Sequence, residues 1–490
     1  MKRSMLTLTV VATMLTAGRP SAAPEKAFSH VWTHAHTGGQ VAEIPAYDAI
    51  TNTIWVAGVV GVDVLDAETG QAVAHIDVRP YGFVNSVAIR HGLAALAVEA
   101  VPGVAGATSR TNPGKVLFYD TTTRALSPEG GEVTVGALPD MLTFNHDGSR
   151  LLVANEGTPD AYGARVGTSV PRVYASAAGD PPGSVTVIDV ERRTVIATAG
   201  FAGVPVVGSA VRTTTGMDFE PEYIAVSPDG AHAFVTLQEA NAIGVLDLIT
   251  NAFTRVIGLG VKDFGLPGNE IDPLNDGVLP PTFGSHNVKG LYMPDGIAAY
   301  KWRGATYLAM ANEGDFREDD GDRSAAGGLG ATPPLNNLRI SNTDSSSGDY
   351  YAAGGRSFSI RDTDGNLVYD SGAILDKKAA ELGIYDDGRS RDKGVEPEGL
   401  ALHKIGGRTF AFVGLERTLK SAVAIFDVTD PTNVSYIDMV VTDGDLAPEG
   451  LILFESKGRT YLAIANETAP AGGTSNTTLY VLERAQARTN

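Results

Sequence analysis

Short apolar runs follow one another along the chain, and each pair of runs is joined by a short polar turn. One pair lies at residues 138–144 and 152–156, with His146-Asp-Gly-Ser149 between them. A second pair, at residues 183–190 and 194–198, follows after a longer interval. Short apolar runs bounded by Gly, Asp and Ser are typical of β-strands, and the 3.6-residue period of helices is missing from this sequence. The pattern predicts an all-β protein built from four-stranded antiparallel units.

This unit repeats along the sequence. In the clearest copies, Pro followed by Asp or Glu opens the first run, and Glu closes the second. Five copies align at residues 138–156, 220–239, 293–313, 396–416 and 447–467, and two weaker copies lie at 46–58 and 83–99. Seven four-stranded repeats predict a seven-bladed β-propeller. The runs are apolar throughout rather than alternating, as expected for strands buried on both faces between neighbouring blades.

The last copy supplies only three strands, the third of which lies at residues 478–483. We expect the missing fourth strand at residues 28–33, near the start of the mature chain. Pairing of this N-terminal strand with the last blade would close the ring and remove the exposed sheet edges.

Propeller geometry brings the repeated acids to one face, because the start of a blade's first strand and the end of its second strand lie on the same side. Glu99 closes the second run in one of the weaker copies. Two like charges 4 Å apart repel by roughly 4 kcal/mol at an effective dielectric constant of about 20, so such a ring requires cations or protons. Oxygen ligands favour Ca²⁺ or Mg²⁺, and we expect Ca²⁺. The candidate metal ligands are Asp140, Glu156, Glu222, Glu239, Asp295, Glu313, Asp315, Glu398, Glu416, Glu449 and Glu467. The alternative is that these acids only cap backbone N–H groups and hold the blades together.

Four long insertions fall on the same predicted face, at residues 157–182, 258–292, 314–356 and 371–394. Long ordered loops in a compact domain are usually functional, so we expect them to build a pocket over the channel mouth. Arg317 and Lys393 lie in these insertions, and Arg417 follows Glu416. Such cations would suit a phosphate-bearing ligand, or they could serve as ion-pair partners for the ring.

Composition narrows the environment in which the protein works. The chain has 490 residues, no cysteine and a formal net charge of −19, which excludes disulfides and thiolate chemistry and disfavours nucleic acid as a partner. Lys2 and Arg3, an apolar run over residues 4–17 and Ser21-Ala-Ala23 predict a signal peptide at residues 1–23. We therefore expect one propeller domain over residues 24–490, periplasmic or secreted, monomeric and without a membrane span.

Several motifs resemble the choice-of-anchor I family. They include Leu152-Val-Ala-Asn-Glu-Gly157, Ala311-Asn-Glu-Gly-Asp315 and Lys393-Gly-Val-Glu-Pro-Glu-Gly399, and the resemblance extends over roughly residues 40 to 483. That family is similar to mesenchyme-specific cell-surface glycoproteins and to proteins described as atypical alkaline phosphatases. The resemblance implies a propeller, an exported location and a phosphatase-like activity.

Three functional hypotheses follow from these features. The first is a calcium-dependent phosphoric-ester hydrolase, similar to an alkaline phosphatase or a phytase. In it, Glu313 or Glu416 would act as base, and Arg417, Arg317 or Lys393 would stabilise developing charge. The second is a non-catalytic calcium-binding module that engages a mineral, a polysaccharide or another envelope protein. A scaffold whose carboxylates only lock the blades is a third possibility.

Overall fold

The structure is a computed structural model that describes residues 28–159, 179–212, 219–317, 319–470 and 473–483. The predicted signal peptide lies outside these residues. Within them, helix is confined to short segments, which are α1 (Asp319–Asp322), α2 (Ile374–Glu381) and the 3₁₀ turns Ala326–Leu329, Leu335–Asn337 and Asp387–Arg389.

β-Strands make up most of the described chain, as the apolar runs predict. The strands of the first part are β1 (Phe28–Ala35), β2 (Pro45–Asp48), β3 (Thr53–Gly58), β4 (Gly61–Asp66), β5 (Ala72–Asp77), β6 (Phe83–Arg90), β7 (Leu93–Glu99), β8 (Pro113–Asp120), β9 (Glu132–Ala137), β10 (Pro139–Phe144), β11 (Arg150–Asn155), β12 (Ser184–Asp189), β13 (Thr194–Gly200), β14 (Val206–Ser209), β15 (Ile224–Val226), β16 (His232–Leu237), β17 (Ala242–Asp247) and β18 (Ala252–Leu259). Those of the second part are β19 (Val261–Asp263), β20 (Lys289–Leu291), β21 (Ile297–Trp302), β22 (Ala305–Asn312), β23 (Arg323–Ala325), β24 (Arg339–Ser341), β25 (Tyr351–Ala352), β26 (Ser357–Asp362), β27 (Leu367–Asp370), β28 (Pro397–Ile405), β29 (Arg408–Leu415), β30 (Ser421–Asp427), β31 (Ser435–Thr442), β32 (Leu446–Ser456), β33 (Arg459–Thr468) and β34 (Asn476–Leu482).

Most of these strands form four-stranded antiparallel sheets in which neighbours in sequence are neighbours in space. The four-stranded sheets are β2–β5, β6–β9, β10–β13, β21-β22-β26-β27, β28–β31 and β32-β33-β34-β1. A five-stranded sheet contains β15–β18, and β14 joins its outer edge in parallel to β18. The predicted four-stranded unit is therefore observed.

The sheets are arranged in a series that returns to its start. The first strand of each sheet contacts the first strand of the next, in the order β2, β6, β10, β15, β21, β28 and β32, and β32 contacts β2 again. Apolar clusters lie between neighbouring sheets, as where Trp55 and Val64 of the first sheet (β2–β5) pack with Val87 and Leu96 of the second. Every residue of β3 is buried, which agrees with the predicted burial on both faces. The fold is β-propeller-like.

The N-terminal strand completes the last sheet (β32–β34 with β1). β1 pairs antiparallel with β34, from Phe28 opposite Leu482 to Ala35 opposite Asn476. The predicted pairing is confirmed, and the strand is longer than the expected residues 28–33. Trp32 is buried in an apolar cluster that joins the last sheet to the first, and its indole Nε1 donates a hydrogen bond to the carbonyl of Ala67 over 3.2 Å.

The insertions contain more regular structure than the sequence predicts. Strands β19, β20 and β25 form a three-stranded sheet, and β23 pairs with β24. These two small sheets share an apolar core of their own, which includes Phe264, Ile271, Val288, Leu338 and Ile340. Its strands are too short for a period-two pattern to appear in the sequence, so the expectation of loops was wrong for these segments. Most of the 157–182 insertion lies outside the described residues.

Candidate functional site

A cavity of about 590 Å³ collects the acids that the repeat predicts. Each candidate metal ligand proposed from the sequence lines this cavity, namely Asp140, Glu156, Glu222, Glu239, Asp295, Glu313, Asp315, Glu398, Glu416, Glu449 and Glu467. We call it the carboxylate cavity. The register of the repeat therefore brings together residues that are more than 300 positions apart in the sequence, such as Asp140 and Glu467.

A backbone irregularity precedes the first acid in four of the five clear repeats. The residue before the proline has a left-handed conformation, with φ of 46° at Leu138, 46° at Met293, 51° at Glu396 and 51° at Ala447. Strand register then shifts across the acid, as between Pro397 and Leu400. Such bulges turn a side chain away from its regular direction and are common beside functional sites. A positive φ at a non-glycine residue is costly, and these four repeats share it at the same position before the acid.

Each of the four- and five-stranded sheets contributes one residue at this position. The set is Glu43, Asn85, Asp140, Glu222, Asp295, Glu398 and Glu449, all of which line the cavity. The repeat did not predict Glu43, because no Pro directly precedes it, or Asn85, because it carries an amide in place of a carboxylate. The backbone shows the equivalence: Glu43 N donates to Ala57 O and Ala57 N to Ile44 O, as Asp295 N donates to Ala311 O. An alignment fixed on the second strand of each repeat would have revealed Glu43.

The second group of acids lies at the ends of the second strands. Glu156, Glu239, Glu313, Glu416 and Glu467 of this group line the cavity. Glu99 is not among the lining residues, and its Oε2 lies 3.6 Å from Nη2 of Arg110. The repeat position is therefore occupied in this sheet too, but its acid pairs with an arginine.

Burial and mutual repulsion raise the pKa values of the acids in the wall. Burial, followed by the neighbouring carboxylates, raises the pKa of Glu449 to about 7, of Asp140 to about 8, of Glu239 to about 8 and of Glu43 to about 9. The same causes raise the pKa values of Glu222, Asp295, Glu398 and Glu416. Without a bound cation, several of these groups hold a proton at neutral pH.

One side of the cavity carries its own positive charge. Lys393 Nζ lies 2.8 Å from Glu313 Oε1 and 3.0 Å from Glu396 Oε2, and Arg389 Nε donates to Glu396 Oε1 over 2.6 Å. Burial works against the charge on Lys393, but Glu313 and Glu396 outweigh it and its pKa is well above the ordinary value. Burial likewise opposes ionisation of Glu396, yet Lys393 and Arg389 lower its pKa.

The predicted catalytic residues separate into two locations. Glu313, Glu416, Lys393 and Arg417 line the cavity, where Arg417 Nη2 is 2.5 Å from Glu416 Oε1. Arg317 is not among the lining residues. Its buried guanidinium pairs with Asp180 and Glu220. Arg389 and Arg323 also line the cavity, and Arg323 was not predicted from the sequence.

Comparison with known proteins places the chain in a family. The model of the choice-of-anchor I domain matches residues 43–431. The chain belongs to the choice-of-anchor I domain family. Membership indicates a cell-surface or extracellular protein. Within the described residues, helices of the length and apolarity needed to span a membrane are absent.

Solved structures similar to this choice-of-anchor I domain agree on the fold. A chain of the hydrazine synthase from Kuenenia stuttgartiensis is 14% identical, with a TM-score of 0.50 over 89% of this chain and 95% of that chain. A chain of a mitotic checkpoint complex is 11% identical, with a TM-score of 0.51 over 96% of this chain and 100% of that chain. No curated protein matches. Identities this low show only the β-propeller-like fold.

The donor atoms in the choice-of-anchor I cavity fit a hard divalent cation. Three sets of carboxylates each offer oxygen atoms within 4.8 Å of one another: Asp295 with Glu313 and Glu398, Glu313 with Glu396 and Glu416, and Glu398 with Glu416 and Glu449. Among the described residues, no group donates a hydrogen bond to the buried Oε2 atoms of Glu239 and Glu398. Ca²⁺ takes six to eight oxygen ligands at about 2.3–2.6 Å, so these carboxylate oxygens suit it.

The carboxylate cavity has an apolar floor. Ile44, Met141 and Tyr223 line both this cavity and a second cavity of about 340 Å³. The second cavity is lined mainly by apolar residues, including Val87 and Phe454. The polar groups are therefore concentrated on one side of these three residues.

Proposed function

We propose that the protein is an exported, seven-bladed β-propeller that binds divalent cations, preferentially Ca²⁺, in the carboxylate cavity. The closed series of contacts from β2 to β32 and back supports the blade number, with the five-stranded sheet as one blade. The convergence of the acids, with pKa values raised by burial and by one another, supports cation binding. A cation would replace protons in this wall and relieve the repulsion.

We further propose that the bound cations serve the hydrolysis of phosphoric esters. The observation that carries this proposal is the unequal charge of the wall: Lys393, Arg389 and Arg417 lie on the side of Glu313 and Glu416. A bound divalent cation would polarise the phosphoryl group and lower the pKa of an attacking water. Asp295, Glu398 and Glu449 would hold the metal, because their carboxylate oxygens come within 4.8 Å of those of Glu313 or Glu416.

The chain's own residues would position the ester and handle its proton. Arg417 is exposed at the cavity, and its planar guanidinium suits two phosphoryl oxygens. Burial and the neighbouring carboxylates raise the pKa of Glu416, which makes its carboxylate a stronger base toward water. Lys393 holds Glu313 in place, and Gln238 donates to Glu313 Oε2 over 2.8 Å. Arg317 would add positive potential at Glu156 and Glu239 from outside the wall.

A non-catalytic role is the second candidate, in which calcium fixes a surface that engages a mineral or a polysaccharide. Lys393 and Arg389 favour it because both already pair with carboxylates of the wall. Basic side chains that are paired in this way stabilise the fold without contacting a ligand. Arg417 would then be a surface contact rather than a catalytic residue.

Hydrolysis of a chromogenic phosphate monoester and of a diester tests the proposal. We expect turnover with Ca²⁺, loss of turnover after chelation, and a fall of at least about 100-fold in Glu313→Gln and Glu416→Gln. Glu191→Gln, which changes an exposed acid outside the cavity, is the matched control and should retain full activity. Calorimetric titration with Ca²⁺ gives the number of ions bound in each variant.

Calcium binding without turnover of any ester, under every metal tried, would reject the hydrolase and leave the calcium-binding module. Turnover that survives both Gln substitutions would place the reaction elsewhere. Absence of calcium binding would contradict the entire proposal.

A further inference from the structure

A second group of metal-binding side chains lies where the N-terminal strand meets the first sheet. His34 lies in β1, and His36 continues its pairing because its backbone N donates to Ser475 O over 2.8 Å. The two imidazole rings have centroids 5.1 Å apart. Asp63 of β4 faces them, with its Oδ2 atom 2.6 Å from His36 Nδ1. One donor atom from each of His34, His36 and Asp63 lies within 4.8 Å of the other two.

We propose that His34, His36 and Asp63 bind a transition-metal ion, and that Zn²⁺ is the ion they suit best. Zn²⁺ takes imidazole nitrogen and carboxylate oxygen at about 2.0–2.2 Å, and in a tetrahedral site its ligand atoms lie roughly 3.4 Å apart. One donor atom of each of the three side chains lies within 4.8 Å of the other two, which is close to that spacing. His34 is partly exposed, so water can complete the coordination. This donor set differs from the carboxylate oxygens of the cavity, which suit Ca²⁺.

The surrounding residues hold this group in place. His36 is 1% exposed, and its Nε2 lies 2.8 Å from the hydroxyl of Thr477. Asp63 Oδ1 is 2.6 Å from Nδ1 of His75, so a second imidazole orients the carboxylate. Hydrogen bonds of this kind fix ligand orientation in zinc sites. Metal binding would exchange one hydrogen bond of His36 for coordination, and His75 would act as a positioning residue.

The location gives the ion a structural consequence. β1 belongs to the last sheet through its pairing with β34, whereas Asp63 belongs to the first sheet. An ion held by all three residues would therefore connect the last sheet to the first. Because binding requires the folded arrangement, it would stabilise the protein against unfolding.

Zinc titration of the purified, chelator-treated protein tests the site, with excess Ca²⁺ present to fill the carboxylate cavity. We expect wild type to bind one additional Zn²⁺ with a rise in Tm, and His34→Gln to lose both effects. His30→Gln is the matched control, since His30 is exposed on the same strand and outside the group. His75→Gln should weaken zinc binding by about 10- to 100-fold, as loss of a ligand-orienting hydrogen bond does.

Cobalt spectroscopy distinguishes metal bound at this site from metal bound elsewhere on the protein. Co²⁺ in place of Zn²⁺ should give a visible spectrum with nitrogen ligation in wild type and in Glu313→Gln, but not in His34→Gln. Retention of the signal in Glu313→Gln makes the result independent of the carboxylate cavity and of any hydrolase activity. Zinc uptake that is unchanged in His34→Gln, or that is absent once Ca²⁺ is present, would overturn the proposal.

Discussion

Lys393 illustrates how single residues balance the charge of the cavity. Its ammonium lies between Glu313 and Glu396, and the residue is only 6% exposed. Water therefore cannot replace the lysine if it is removed. A buried charge that loses its partner is far more costly than a broken surface ion pair.

We expect Lys393→Met to lower the free energy of unfolding by about 3–5 kcal/mol at pH 8, because Glu313 and Glu396 would remain buried without their common cation. Urea unfolding of the metal-free protein measures the loss. The control is Lys404→Met, at an exposed position on β28, which should change stability by less than about 0.5 kcal/mol. Ca²⁺ should reduce the difference in unfolding free energy between Lys393→Met and wild type, since a bound cation restores positive charge. Equal stability of the two Lys variants in metal-free buffer would contradict this account of the wall.

At the scale of elements, β1 shows how distant segments of the chain complete one sheet. Its side chains differ sharply in environment, because Trp32 is buried between the last and first sheets whereas Val31 beside it is exposed. The strand therefore contributes apolar packing as well as hydrogen bonds to the edge of β34.

Trp32→Ala should destabilise the protein by about 3–5 kcal/mol, since it removes a large buried side chain and leaves a cavity. Val31→Ala, the adjacent change on the same strand, should cost much less because its side chain is exposed. Urea denaturation curves of both variants give the comparison. Similar losses would indicate that β1 is held mainly by its backbone pairing.

At the scale of the whole molecule, the raised pKa values link stability to pH. Each affected acid has an ordinary pKa of about 4 in the unfolded chain and a higher one in the folded protein. Such a group favours the folded state fully below its unfolded pKa, and the contribution is lost as the pH rises through its folded pKa. For Glu449, Asp140, Glu239 and Glu43 the folded values are about 7, 8, 8 and 9.

The Tm of the metal-free protein should therefore fall as the pH is raised from about 5 to 9, and Ca²⁺ should reduce this fall. Scanning calorimetry with chelator and with Ca²⁺ measures both effects. Glu239→Gln removes one ionising acid, so it should raise the Tm of the metal-free protein at pH 9 and weaken its response to Ca²⁺. Glu129→Gln, at an exposed acid outside the cavity, should behave as wild type. A Tm that does not change with pH in the metal-free protein would contradict the expectation that ionisation of the clustered acids destabilises the folded state.

Much of this architecture is predictable from the sequence because its signals are local and repeated. Apolar runs with short turns determine the strands, and the Pro-Asp or Pro-Glu motif recurs at a fixed point in each clear repeat. A shared register then brings acids such as Asp140 and Glu449 to one cavity. The pairing of the N-terminal strand with the last sheet also follows from counting strands in the final repeat.

Other features depend on contacts between distant segments that no local pattern encodes. Glu43 lines the cavity without the Pro-Asp or Pro-Glu motif that marks the clear repeats, and its place follows from the backbone pairing of the first sheet. Arg317 and Arg417 both follow a Glu that ends the second strand of a repeat. Arg317 is nevertheless buried against Asp180 and Glu220, outside the cavity wall. The sequence alone determined the repeat and the kinds of side chain at its acidic end. Tertiary structure decided which charges are paired and which face the cavity, because burial and ion pairing depend on neighbours brought from other parts of the chain.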